Sequence, residues 1–532
     1  MSRREKVLEL ILLAAVVVYV TAAAAALLPR LEVPHYDYFD YLWVAKSFAQ
    51  GELPASFKRG PLYPALMALG ATFAGGADPF LRAARAVSLA ATPAALLLMY
   101  AFARRALGRW ALLAVAWLGA SSVFAFYGAQ PICEMLFTAL ILGALVAAGR
   151  GAWPYVLAGL AAATRYEAVA LVLALLAFDL RGGRRLRSGC YAAAALAPMG
   201  VWLALSLFRA GPVHPYVEQY LSYPASGWTF VENMATLLWA AKPPALRFVS
   251  YVGGVVAAGG AVYAAVRHGA RYGAAAAFLA VYVVAHAVYP WPFERFVLPV
   301  LPIATVGLWV GARALVRLAF ARRWLRYALG GAGFAAGVAL LVAAALYLAG
   351  GHPHLAATAP PMILITAAAA YGTLRRPAAW YRAAAALLLV AVGSAYVGRS
   401  AADARKYVEL EQGGLSYKGA ADYLIATGRR GRVATTTPWL LRYYLDGPPR
   451  RVVGVDALPV RRFEELAGAL KKAKVKFILV DSLTCEVPDP RCRLRPAGEL
   501  LLPLYEGRAG PPYRLVATIT RRYETAYIYE LE

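Results

Sequence analysis

Apolar runs of about 20 residues recur along this chain and limit what it can fold into. A helix of that length crosses the roughly 30 Å of hydrocarbon in a bilayer. The 532 residues are 61% hydrophobic and only 16% charged. Because a backbone in lipid has to satisfy its own hydrogen bonds, the runs predict helices. We therefore expect an α-helical polytopic membrane protein.

The placement of the basic residues predicts how the spans are oriented. The net charge is +26, Arg outnumbers Lys 45 to 10, and much of the excess lies in short loops between apolar runs. This pattern follows the positive-inside rule and does not indicate a nucleic-acid partner. It predicts about 13 transmembrane helices in a plasma membrane, with the N-terminus cytoplasmic. No clear cleavage site follows the first span, at about 7–28, so that span is read as retained.

The composition changes near residue 399 to that of a soluble domain. We predict a transmembrane domain over 1–398 and a small extracytoplasmic α/β domain over 399–532, since an odd number of spans places the C-terminus outside. Its predicted elements are helices at 417–427 and 461–472, strands at 433–436 and 476–480, and a closing hairpin at 513–520 and 526–530.

The four cysteines divide between these two regions. Cys133 and Cys190 lie in apolar spans and are read as buried small hydrophobes. Cys485 and Cys492 flank a polar loop in the C-terminal domain. On an oxidising exterior, a disulfide and two free thiols are both compatible with their spacing.

The loop after the first span is the first candidate for chemistry, because ionisable groups beside a bilayer are costly to keep. It carries Asp37 and Asp40, followed by Lys58 and Arg59. The predicted topology brings further charges to the same outer face: Glu134 from the second outer turn, Arg165 and Glu167 from the apex between two short helices within 150–181, and Glu294 with Arg295 from a later loop. A carboxylate can act as a base toward a hydroxyl, while Arg and Lys stabilise a departing phosphate. The set suits group transfer from a phosphate-linked lipid.

These loops also carry a recognisable motif. Its first part is Asp37-x-x-Asp40-Tyr41-Leu-x-x-Ala45, then Gly51, then Arg59-Gly60-Pro61-Leu62-Tyr63-Pro64. Further parts are Arg85, Glu134, Thr164-Arg165-Tyr166-Glu167 and Glu294-Arg295-Phe296-Val-Leu-Pro299-Val-Leu-Pro302. Over roughly residues 7–400 the chain resembles the GT-C superfamily, in particular the polyprenyl-phosphate-dependent transferases that include protein O-mannosyltransferases and lipid A aminoarabinose transferases.

The resemblance implies a glycosyltransferase that moves a sugar, with inversion, from a polyprenyl (dolichyl-type) phosphate to a hydroxyl of a lipid, glycan or protein acceptor, among membrane lipids. It implies that Asp37 is the base, with Asp40 in reserve. The remaining implied residues are Lys58, Arg59, Arg165 and Arg295 for the donor phosphate, and Glu134, Glu167, Tyr63 and Arg85 elsewhere in the site. A divalent cation, Mg or Mn, is left open, and no metal ligands are assigned.

Two departures from the family pattern leave the subfamily open. Protein mannosyltransferases usually carry Asp-Glu where this chain has Asp37-Tyr38, and many members have Arg-Pro-Pro where it has Arg59-Gly60-Pro61. One alternative is a metal-dependent oligosaccharyltransferase-like enzyme, although a Trp-Trp-Asp-Tyr-Gly-type motif is missing from the C-terminal domain. Another is a transporter or lipid flippase, although no internal repeat is apparent. His35, His214 and His286 show no metal-ligand spacing and are read as interfacial residues.

Overall fold

The protein is described here by a computed structural model. It describes residues 3–31, 34–35, 37–54, 56–76, 78–119, 121–183, 185–210, 227–239, 247–289, 294–321, 414–445, 451–460, 462–481, 496–521 and 524–532. The predicted domain boundary at 398/399, the last three predicted spans and the pair Cys485/Cys492 lie outside the described residues.

The chain divides into two compact units. The first comprises Met1–Leu28 and Val44–Arg405, and the second comprises Pro29–Trp43 and Lys406–Glu532. The segment that carries Asp37 and Asp40 is therefore grouped with the C-terminal region. The predicted transmembrane domain over 1–398 includes this segment.

Helices make up the described part of the first unit. They are α1 (Arg3–Leu27), α2 (Tyr38–Ala49, which begins in the second unit), α3 (Leu62–Ala71), α4 (Pro79–Leu107), α5 (Ala111–Gly119), α6 (Ser122–Ala129), α7 (Glu134–Ala147), α8 (Trp153–Thr164), α9 (Val169–Arg181), α10 (Arg185–Ala210), α11 (Trp228–Trp239), α12 (Arg247–His268), α13 (Ala270–Val288) and α14 (Leu301–Ala321).

Several of these helices are suited to a membrane. Within the described ranges, four are long and apolar enough to cross one: Arg3–Arg30, Pro79–Leu107, Arg185–Arg209 and Ala270–Val288. The pair α5 and α6, bent by 63°, counts as a fifth if it forms one span. The expectation of a multi-pass α-helical protein is thus supported, while the count of 13 stays a prediction.

The predicted apex between two short helices is confirmed. Helix α8 ends at Thr164, and Arg165 is extended, with φ −147° and ψ 135°. One turn of 3-10 helix, Tyr166–Ala168, follows before α9 begins. Because an extended residue interrupts the helical hydrogen bonding, the chain changes direction at the residues that carry charge.

Glycines allow α12 and α14 to pack closely. A Cβ placed on Gly260 would lie within 3 Å of the Gly307 carbonyl and the Gly311 amide nitrogen. One on Gly311 would lie 2.3 Å from the carbonyl oxygen of Val256. Small residues permit such backbone contact between membrane helices, where packing and not water exclusion holds helices together.

A five-stranded mixed sheet forms the centre of the second unit. Its strands are β1 (Arg432–Thr435), β2 (Val452–Gly454), β3 (Val475–Asp481), β4 (Tyr513–Arg521) and β5 (Glu524–Leu531), in the order β2-β1-β3-β5-β4. The three strands β2, β1 and β3 are parallel, and β5 is antiparallel to both of its neighbours. Helices α15 (Leu415–Ala426), α16 (Pro438–Leu445), α17 (Phe463–Lys472) and α18 (Pro496–Tyr505) accompany it.

This arrangement agrees with the predicted α/β pattern and closing hairpin. The sequence pattern missed β2, α16 and α18, which are short. The buried strand β3 was the easiest to predict, since five consecutive residues from Phe477 to Asp481 are buried. Such a run is typical of a strand covered on both faces.

Aromatic side chains link the first loop to α16 within the second unit. The ring of Phe39 lies 5.0 Å from that of Tyr443 and 6.3 Å from that of Tyr444. The ring of Tyr38 is 6.2 Å from Tyr443. Since Tyr38 and Phe39 are fully buried, this packing holds the start of α2, directly after Asp37.

One cysteine differs from its prediction. Cys133 is buried, as expected, but Cys190 is exposed on α10. An apolar span buries only the face that packs against other helices, so membership of a span does not imply burial in protein.

Candidate active site

The guanidinium of Arg165 is the centre of a buried charge cluster in the first unit. Its Nη1 donates to Glu134 Oε1 at 3.0 Å, and its Nη2 donates to Glu167 Oε1 at 2.6 Å. Its Nε is 3.4 Å from Glu167 Oε2. The Arg165 side chain is 8% exposed and that of Glu134 is fully buried. Three residues from two separate predicted outer turns therefore meet in one ion-pair network.

The ring of Phe296 brings a second arginine to this cluster. The guanidinium carbon of Arg165 lies 5.0 Å from the ring centroid, and that of Arg295 lies 4.8 Å from it. Arg295 is itself buried. Cations at these distances are attracted by the negative face of an aromatic ring, so Phe296 helps to keep two like charges close together.

The segment around Arg59 lies against the apex that carries Arg165. The hydroxyl of Tyr166 donates to the carbonyl oxygen of Phe57 at 2.7 Å. A Cβ placed on Gly60 would lie 2.5 Å from the carbonyl oxygen of Ala163. Only a residue without a side chain permits that approach. The Gly60 departure from the family pattern therefore has a local structural reason.

Tryptophan contacts fix this segment further. Trp202 Nε1 donates to the carbonyl oxygen of Arg59 at 3.0 Å, and its ring is 4.7 Å from that of Phe57. The Arg59 side chain is buried. We use the term arginine–glutamate cluster for Glu134, Arg165, Glu167 and Arg295, together with Arg59, whose backbone segment packs against the Arg165 apex.

His286 contacts this cluster, although the sequence pattern predicts an interfacial residue at this position. It is buried, and its Nε2 lies 3.7 Å from Glu167 Oε1. Its Nδ1 is 3.0 Å from the carbonyl oxygen of Tyr282, and its ring stacks on that of Tyr282 at 4.0 Å. The interpretation of His286 as interfacial rested on the lack of metal-ligand spacing along the chain. The informative signal was an ionisable residue inside an apolar span.

Tyr63 and Arg85 have more peripheral positions. The buried Tyr63 hydroxyl donates to the carbonyl oxygen of Ala84 at 3.1 Å and also lies 3.1 Å from Ser88 Oγ. Arg85 is half-buried near the start of α4. Tyr63 therefore anchors α3 on α4, and its predicted role in the site stays a prediction.

Asp37 and Asp40 belong to the second unit. Asp37 is only 4% exposed and directly precedes α2, and its backbone N–H donates to His35 Nδ1 at 3.1 Å. Asp40 lies in the first turn of α2 and is half-buried. The structure thus distinguishes the two acids by burial, and Asp37 is the more enclosed.

The described residues do not supply a cation site. Among them, no group of three or more His, Cys, Asp and Glu side chains is arranged to hold a metal ion. Glu134 and Glu167, the two carboxylates of the cluster, both bind Arg165.

Together, the fold and the cluster define a multi-pass α-helical membrane protein with a small mixed-sheet unit and a buried arginine–glutamate cluster. The fold resembles that of ArnT from Cupriavidus metallidurans bound to undecaprenyl phosphate, with a TM-score of 0.55 and 16% identity over 98% of this chain and 97% of that chain.

It also resembles the archaeal oligosaccharyltransferase AglB from Archaeoglobus fulgidus, in complex with an inhibitory peptide and a dolichol-phosphate. That match has a TM-score of 0.54 and 10% identity, and covers 94% of this chain and 72% of that chain. No protein-family model matches the chain, and no match was found among curated proteins.

Proposed function

We propose that this protein is a membrane glycosyltransferase that moves a sugar from a polyprenyl phosphate to a hydroxyl acceptor at the outer membrane face. The arginine–glutamate cluster carries the proposal, because it gathers buried cations from three loops in a chain of GT-C fold. The structures of ArnT with undecaprenyl phosphate and AglB with a dolichol-phosphate support the proposed donor class.

In the proposed reaction, Asp37 takes the proton from the acceptor hydroxyl. The acceptor oxygen then attacks the anomeric carbon of the sugar as the bond from that carbon to the phosphate oxygen breaks. The configuration inverts, and the lipid phosphate leaves with the bonding electron pair.

The charge of the cluster suits a lipid phosphate. Three arginines against two carboxylates leave one positive charge, equal to the single negative charge of a phosphodiester donor. Lys58, next to Arg59, supplies a second positive charge. It would balance the second negative charge that develops on the phosphate as the sugar leaves.

The three arginines differ in how they are engaged. All three guanidinium nitrogens of Arg165 lie within 3.4 Å of a glutamate oxygen. A phosphate oxygen would have to share Arg165 with Glu134 and Glu167. We therefore propose that Arg59 and Arg295 make the main phosphate contacts, and that Arg165 adds its charge through the network.

The test uses the purified full-length protein in nanodiscs. Undecaprenyl- and dolichyl-phosphate-linked glucose, mannose and arabinose, labelled in the sugar, are supplied with total membrane lipids and with peptides as acceptors. Label in a new covalent product, identified by mass spectrometry, supports the proposal. Movement of label across proteoliposomes without a covalent product would instead favour a transporter or flippase.

Replacement of the proposed base separates the two acids. We expect Asp37→Asn to lower kcat at least ~100-fold, the usual contribution of a general base. Asp40→Asn, the matched control three residues further along in the first turn of α2, should retain most of the activity. Normal transfer by Asp37→Asn with loss of transfer in Asp40→Asn would reverse the assignment.

The oligosaccharyltransferase-like alternative makes a different prediction. Activity that disappears with a chelator, returns with Mg or Mn and requires a peptide acceptor would favour it. The AglB fold match is compatible with this alternative.

A further inference from the structure

Gln130 is a buried polar side chain without a partner in the described structure. It lies in the turn between α6 and α7, and its side chain is fully buried. Neither the Oε1 nor the Nε2 atom of its carboxamide has a hydrogen-bond partner. Most buried side-chain polar atoms in proteins are hydrogen-bonded, so an amide with both ends unpaired requires an explanation.

The backbone around Gln130 is firmly held. The N–H of Ile132 donates to the carbonyl oxygen of Gln130 at 2.9 Å. The carbonyl oxygen of Ile132 accepts a hydrogen bond from Ser88 Oγ at 2.8 Å. The turn is therefore anchored to α4, and the position of Gln130 is set by its backbone.

The position of the turn connects Gln130 to the arginine–glutamate cluster. Helix α6, which ends at Ala129, contacts the 3-10 turn Glu294–Phe296 that carries Arg295. On the other side, Glu134 begins α7 and binds Arg165. Gln130 thus lies on the short connection between two segments that each contribute to the cluster.

A carboxamide differs chemically from the other members of this region. It carries two N–H donors and one carbonyl acceptor but no charge. The arginines already provide charge for a phosphate, and a neutral amide adds little to that. Its mixed donor and acceptor groups match a pair of neighbouring hydroxyls, which also both donate and accept.

We infer that Gln130 hydrogen-bonds hydroxyl groups of the sugar on the lipid-linked donor and so helps to select that sugar. This inference rests on the proposed glycosyl transfer. A site that hydrogen-bonds its substrate leaves a buried polar group unpaired when the substrate is absent, and rejects analogues that lack the matching hydroxyl. The unpaired amide of Gln130 is the arrangement expected in the free protein.

Gln130→Met tests the inference, since Met is unbranched, similar in length and apolar. An amide that binds only substrate costs stability in the free protein, so Gln130→Met should keep or raise the Tm. The KM for the sugar donor that the wild type uses should rise roughly 10-fold or more, because one or two substrate hydrogen bonds are lost. The Kd for sugar-free undecaprenyl phosphate should stay within about twofold.

Ser88→Ala is the matched structural control. Ser88 is fully buried, but its hydroxyl donates to the Ile132 carbonyl in the same turn. Its removal leaves a buried carbonyl without that donor, so the Tm should fall. The two variants are therefore expected to change Tm differently, although both remove a polar group from one turn.

Three outcomes separate the possible failures. If Gln130→Met lowers the Tm as Ser88→Ala does and leaves the donor KM unchanged, Gln130 is structural and the inference is wrong. If it weakens sugar-free undecaprenyl phosphate and the sugar donor equally, Gln130 contacts the lipid phosphate and the inference is also wrong. If the wild type transfers none of the sugars to any acceptor, the proposed function fails, and the inference fails with it.

Discussion

Arg165 holds two carboxylates in the first unit, so its removal should be severely destabilising. In Arg165→Met, Glu134 keeps a fully buried carboxylate and loses its 3.0 Å partner. Glu167, whose side chain is 26% exposed, loses its 2.6 Å partner but retains some access to solvent. The main cost should therefore come from Glu134.

The magnitude follows from distance and burial. At an effective dielectric constant of about 20, unit charges 3.0 Å apart attract by about 5.5 kcal/mol. Desolvation of both ions offsets much of this in the intact protein. Removal of one partner leaves the desolvated charge alone, which typically costs about 3–5 kcal/mol. We expect Arg165→Met to lower the free energy of unfolding by that amount.

A double-mutant cycle isolates the Arg165–Glu134 pair. Glu134→Gln removes one charge while Arg165 keeps Glu167, so its cost should be smaller, about 1–3 kcal/mol. In the double variant the carboxylate at 134 is gone, and the loss of Arg165 should be less harmful there by about 2 kcal/mol. The assay is reversible unfolding of the purified protein in mixed detergent micelles, followed by tryptophan fluorescence.

The pair Arg104–Glu9 provides a matched control. It has the same residue types at 3.1 Å, but the Arg104 side chain is 35% exposed. Because Arg104 is much more exposed than Arg165, although the Glu9 side chain is only 10% exposed, the coupling energy of this pair should be smaller than that of Arg165–Glu134. Equal coupling energies in the two cycles would refute the reasoning that burial makes Arg165 critical.

Two further predictions concern packing and pH. Gly60→Ala places a Cβ 2.5 Å from the carbonyl oxygen of Ala163, so it should lower the free energy of unfolding by about 1–3 kcal/mol. Gly75→Ala, where a Cβ would have no atom within 4 Å, is the control and should be nearly neutral. Equal effects of the two changes would contradict the predicted clash. Arg514, at 2.7 Å, and Arg429 lower the pKa of Glu530 below its ordinary value of 4.5. Because the pKa of Glu530 is lower in the folded than in the unfolded protein, ionised Glu530 stabilises the fold at pH values above its unfolded pKa. This stabilisation is lost as the pH falls through the folded pKa. The Tm difference between wild type and Glu530→Gln should therefore be largest near neutral pH and shrink below about pH 4.5. A Tm difference that grows on acidification would contradict this prediction.

Much of the helical layout could be predicted from the sequence. Apolar length marks α1, α4 and α13, because the bilayer thickness sets how many residues a span needs. The helix break at Arg165 could also be predicted, since charged residues in the middle of an apolar stretch favour a helix end. Alternation and apolar runs also gave β3 and the closing hairpin of the second unit.

Part of the candidate site was also within reach of the sequence. The predicted orientation of the loops places Glu134, Arg165 and Arg295 at one membrane face, and the structure brings them together. The ion pair between Arg165 and Glu134 was not expected, whereas an Arg165–Glu167 pair at the helix break was one of the alternatives. Arg165 was assigned to a phosphate, whereas the structure shows it bound to two glutamates, 31 residues away in one case.

The sequence by itself determined the class of fold, the position of the helix break and the residue types available for chemistry. These follow from local properties: the length of an apolar run, the place of a charge, the spacing of a motif. Only the tertiary structure decided that His286 faces Glu167, that Gly60 packs on the Ala163 carbonyl and that the Asp37 segment is grouped with the C-terminal unit. Such contacts join residues far apart in the chain. They depend on which helix faces pack together, a property that no single segment carries in its own pattern.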